Sequence, residues 1–75
     1  MKLEAVRELV LGAIPDAEIR VEGEGCNFTI TVVSEIFRNK KPIERQMIVM
    51  EPFKPLLATG EVHALGVKAF TPNEV

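Results

Sequence analysis

The sequence predicts an α+β domain of two layers and order αββααβ, a three-stranded sheet with its helices on one face. Three observations predict it: an apolar period near 3.6 at the start of the chain, a period of two in three later stretches, and prolines and glycines that separate them. A chain of 75 residues makes one domain, spanning 1–75.

Residues 2–14 place Leu3, Val6, Leu9, Val10, Ala13 and Ile14 at i, i+3, i+4 and i+7 spacings, with Lys2, Glu4, Arg7 and Glu8 elsewhere on the wheel. This pattern is an amphipathic helix. Gly12 and Pro15 end it, because proline cannot continue the hydrogen-bond ladder and biases Ile14 out of the helical region. Over 17–22, Ala17, Ile19 and Val21 alternate with Glu18, Arg20 and Glu22, the pattern of a half-buried strand. Residues 27–33 are rich in β-branched side chains, and Gly23-Glu24-Gly25-Cys26 supplies the turn of a hairpin.

After Phe37 the polar run Arg38-Asn39-Lys40-Lys41 leads to Pro42, well suited to the first position of a helix over 42–50. Pro52 interrupts that helix at Glu51. A short second helix carrying Phe53, Leu56 and Leu57 closes at Gly60, so the pair forms a tight helix-turn-helix. The third strand is 62–70, with Leu65, Val67 and Ala69 on one face and Ala64, Gly66 and Lys68 on the other, and Thr71-Pro72 ends it.

Composition narrows the function. Hydrophobic residues are 47% and charged residues 27%, the balance of an ordinary globular domain. No apolar run approaches the roughly 20 residues that span a bilayer, and Glu4 and Glu8 interrupt the stretch a signal peptide would need, so a cytoplasmic or similarly reducing compartment is expected, with no membrane partner. The net charge of −2 is unlike that of a general phosphate-backbone binder. One cysteine permits no intrachain disulfide. With one His, one Cys, one Ser (Ser34) and no Tyr or Trp, no nucleophile-base-acid set assembles, unless Cys26 and His63 form a dyad, and no orienting third group is evident; no enzyme is expected. Gly23 and Gly25 lie in a hairpin rather than before a helix, which excludes the common nucleotide-binding fingerprints.

Two residues and one segment remain as candidates. Strand parity groups His63 with Leu65 and Val67, which suits a partly buried, hydrogen-bonded structural histidine, while its place beside Gly60 and Glu61 suits a ring projecting toward solvent or a partner. Cys26 has an accessible, Gly-flanked loop position, yet its parity with Phe28, Ile30 and Val32 equally suits a small hydrophobe. Together they offer one thiolate and one imidazole, donors suited to iron-sulfur or zinc sites. Such sites take about four ligands, so any metal group must be shared with a second copy or with another protein that supplies thiolates. The segment with Arg38, Lys40, Lys41 and Arg45, offset by Glu44, is locally basic and leads into the helix-turn-helix; it suits DNA, an acidic protein surface or simply a solvated helix entry. A KH-type Gly-x-x-Gly clamp is missing.

The stretch Val62-His63-Ala64-Leu65-Gly66-Val67-Lys68-Ala69-Phe70-Thr71-Pro72 closely resembles the C-terminal signature of BolA proteins, and Phe37, Arg45, Val49 and Glu74 follow that family in register. The resemblance covers essentially the whole chain and is nearest the short YrbA/IbaG-type branch. It implies a KH-like αββααβ fold and a partnership with a monothiol glutaredoxin in iron-sulfur trafficking or iron sensing, with links to stress response. In that scheme the glutaredoxin and its glutathione share a bridging 2Fe-2S cluster, His63 matches the family's C-terminal histidine ligand, and Cys26 falls in the variable loop where members carry His or Cys. An imidazole ligand would raise the cluster's potential and make that bond sensitive to protonation near neutral pH. A homodimer is the other assembly this ligand set allows. Family links to DNA binding keep a transcriptional regulator using Lys40, Lys41 and Arg45 as the alternative. The sequence departs from the family where Gln46 and Met47 follow Arg45, where Asn39 replaces a common glycine, and where Val75 replaces a common aromatic residue.

Overall fold

A computed structural model describes residues 2–24 and 27–75. Helix α1 (Leu3–Ala13) is followed by strands β1 (Glu18–Glu24) and β2 (Asn27–Val33), helix α2 (Pro42–Met50), helix α3 (Lys54–Thr59) and strand β3 (Ala64–Phe70). Short 3-10 turns lie at Glu35–Phe37, Glu51–Phe53 and Pro72–Glu74. The expected αββααβ order holds.

The sheet runs β1-β2-β3. β1 and β2 are antiparallel and pair as far as Glu24 with Asn27, two residues beyond the expected end of β1. Gly23 permits this extension: its φ is 138°, and a Cβ there would collide with the Asn27 carbonyl oxygen. β2 and β3 are parallel, from Asn27 beside Ala64 to Val33 beside Phe70. A parallel pair needs a long crossover, and the segment from Ser34 to His63, with both α2 and α3, supplies it.

β2 is the central strand, and its inward side chains Phe28, Ile30 and Val32 are buried. Against them pack Val6, Val10 and Ile14 of α1, Val49 of α2, and Phe37, Phe53 and Val62 from the connections. The opposite face of the sheet carries Glu18, Arg20, Thr29, Thr31 and Lys68, all but Thr31 exposed. Pro52 ends α2 as expected, through one 3-10 turn that seats Phe53 in the core. Gly60 closes α3 at φ 84°, and Asn39 takes φ 63°, the left-handed backbone that the common glycine at its position would favour.

The connection after β2 is tied to the first half of the chain. Ser34, buried, donates its hydroxyl to the Asp16 carboxylate at 2.9 Å and accepts the Ile36 N–H at 3.2 Å, which caps the turn that buries Phe37.

The parity expected of His63 is not found. β3 begins at Ala64 rather than Val62, and the Val62 N–H is bonded to the Leu56 carbonyl at 3.2 Å. That tether drives the Val62 side chain into the core and turns His63 outward, so the two-residue alternation breaks before the strand.

Phe53 is fully enclosed. Phe53→Ala should therefore cost about 3 to 5 kcal/mol, read as a lower urea midpoint at similar slope. A loss below about 1 kcal/mol would mean the connection does not pack as described.

Candidate functional site

The β2/β3 register decides which candidates meet. Asn27 lies beside Ala64, so His63, which precedes Ala64, stands at the end of the sheet where β2 begins. Cys26 itself lies outside the described residues. His63 is exposed. The Nε2 and Cδ2 edge of its ring lies close to Gly60, where a Cβ would stand 3.6 Å from Nε2, and the φ of 84° at that position favours glycine. Beside it, the Thr59 hydroxyl lies 3.3 Å from a Glu61 carboxylate oxygen. Among the described residues no three His, Cys, Asp or Glu side chains gather as a metal site. His63 is thus an exposed imidazole with no such group of three around it among the described residues.

The basic segment stands at the opposite end of the seven-residue strands, about 20 Å away at roughly 3.3 Å per residue. There Arg45 is committed to holding the fold. Its guanidinium donates to the carbonyl oxygens of Lys40 (3.0 Å) and Ala69 (3.1 Å) and to both carboxylate oxygens of Glu74 (2.7 and 3.3 Å). Its side chain is only 14% exposed. Arg38 is paired with Glu35, 2.6 Å apart. Lys40 and Lys41 alone in this segment have no carboxylate within 4.0 Å among the described residues. In sequence Arg45 stands among the cations of the basic segment; its partner Glu74 lies 29 positions away, and folding brings them together. One local signal pointed there. Thr71-Pro72-Asn73-Glu74 is a capping-box pattern, and Glu74 accepts the Thr71 N–H at 2.7 Å.

Helices α1, α2 and α3 with the mixed sheet define a small α+β domain of the BolA fold. A family model described as BolA-like protein matches residues 11–74. The chain belongs to that family. It is 38% identical over 74 residues to a protein encoded between rpoN and murA in Acinetobacter guillouiae, covering 99% of this chain and 89% of that one. It is 28% identical over 74 residues to the acid stress protein IbaG of Escherichia coli, covering 99% and 88%. The solution structure of yeast Fra2 is 33% identical with a TM-score of 0.76, covering 99% of this chain and 83% of that one. No helix among the described residues is long and apolar enough to cross a membrane.

The Arg45 guanidinium, and next the Thr71 N–H, lower the Glu74 pKa from 4.5 to about 2. A carboxyl whose folded pKa is depressed contributes stability that is present above the unfolded value and lost as pH falls through the folded one. The urea midpoint should therefore fall between pH 4.5 and about 2. Glu74→Gln should flatten that fall, and Arg45→Lys should not preserve it, because lysine cannot reproduce the two-pronged pairing. Equal pH profiles for wild type and Glu74→Gln would show that the pair contributes nothing.

Proposed function

We propose that this BolA-like protein is a non-catalytic cytoplasmic partner of a monothiol glutaredoxin, and that together they hold a bridging 2Fe-2S cluster as cargo for trafficking or iron sensing. The observation that carries the reading is the exposed His63 imidazole just before β3, at the end of the sheet where β2 begins. An incomplete donor set on a small single domain fits a shared site. The glutaredoxin cysteine and glutathione would supply the sulfurs this chain lacks, with His63 and Cys26 completing coordination from this side. The fold's contribution is placement. Val62 anchors the backbone next to the exposed ring, whose edge lies close to Gly60. The acid-stress name of the Escherichia coli relative agrees with a part in a stress response.

Mixing the protein with cluster-loaded monothiol glutaredoxin should change the visible circular dichroism and the EPR of the reduced cluster. His63→Ala should remove most of that change and Cys26→Ser should alter it. Spectra identical with and without the protein, or insensitive to His63→Ala, would defeat the proposal.

DNA binding through the basic segment has weaker support, since Arg45 is engaged with Glu74 and only Lys40 and Lys41 remain to meet phosphate. Any mobility shift should then lose affinity with salt at a log-log slope no steeper than about −2. A slope near −5 would show that a wider basic surface is at work.

A further inference from the structure

Helix α2 turns one face to the core through Val49 and holds Arg45 toward Glu74, and its exposed side carries an apolar stripe beside Glu44 and Gln46. Ile43 and Met47 are each 61% exposed, and Met50, partly buried, continues the same ridge at i, i+4 and i+7. Seven residues of helix make a ridge about 10 Å long, the contact one packed helix offers another. Methionine suits such a surface because its unbranched thioether adapts to different partners. The Gln46 amide donates to the Met50 sulfur at 3.6 Å, which steadies one end of the ridge.

Charge specifies what fits there. Between Glu35 and Lys54 stand five cations and three carboxylates, in a chain whose net charge is −2. Two of the carboxylates are ion-paired, Glu35 with Arg38 and Glu51 with Lys54, while Glu44 accepts the Lys41 N–H and keeps its charge. Arg45 is neutralised by Glu74. The charge left over is that of Lys40 and Lys41 against the single carboxylate of Glu44, a net excess of one positive charge at the end of the ridge where Ile43 stands.

We propose that the outer face of α2 is a docking surface for an acidic amphipathic helix of a partner protein. Apolar side chains of that helix would cover Ile43, Met47 and Met50, and its carboxylates would meet Lys40 and Lys41. The surface is distinct from the His63 end of the sheet and rests on no assumption about a cluster.

The test is NMR of the full 15N-labelled chain titrated with a synthetic leucine-glutamate amphipathic helix and with its leucine-lysine twin. The acidic helix should saturate with shifts confined to residues 40–54, and the lysine twin should bind at least about tenfold more weakly. Met47→Asp and Ile43→Asp change exposed positions, so the remaining spectrum should persist while affinity for the acidic helix falls by about tenfold or more. The proposal is overturned by shifts in the groove lined by Ala5, Leu9, Pro52 and Leu56, by equal affinity for both peptides, or by no effect of either variant. Self-association abolished by Met47→Asp would assign the ridge to a second copy, and phosphatidylglycerol vesicles bound in place of the acidic helix would assign it to a lipid surface. Either result also overturns it. No thiol or metal enters the experiment, so its outcome is separate from that of the glutaredoxin mixture.

Discussion

The structure depends on the burial of β2. It is the central strand, with a neighbour on both sides, and Phe28, Ile30 and Val32 meet α1 and the connecting helices with 3% exposure or less. A chain of this size has little core to spare, so each of these contacts is a large share of its modest stability. The antiparallel partner arrives by a short hairpin. The parallel partner arrives only after the long crossover that contains α2 and α3.

That crossover separates two kinds of chemistry. It returns the chain to the end of the sheet where β2 began, so His63 stands with the residues next to the hairpin turn. At the other end Arg45 crosses to Glu74 and the Ala69 carbonyl, fastening α2 to the close of β3. The guanidinium that looks in sequence like part of a nucleic-acid patch is a fastener. Its charge is spent inside the molecule, and the lysines beside it set the remaining character of the surface.

Elements with a strong local pattern were legible from the residues. α1 and α2 follow from apolar spacing and proline placement, β2 from its β-branched run, and the end of α3 from Gly60, within a residue or two at each boundary. His63 was harder to read. Alternation along 62–70 grouped it with Leu65 and Val67, but alternation describes backbone that is paired, and residues 61–63 lie ahead of the ladder. The hydrogen bond from Val62 to Leu56 is what turns the ring outward. The Ser34 cap and its link to Asp16 likewise have no periodic signature, since they join residues 18 apart.

Sequence alone determined the element order, the placement of the core on one face of each element, and the family signature over 62–72, because these reside in near-neighbour spacing and residue type. Tertiary structure decided which charges are free and which are paired, that His63 faces solvent, and that the basic segment lies at the far end of the sheet from it. Those outcomes depend on contacts across the long crossover and between distant turns. The parallel pairing of β2 with β3 sets which residues share an end of the sheet, and the Arg45–Glu74 contact joins α2 to the turn after β3.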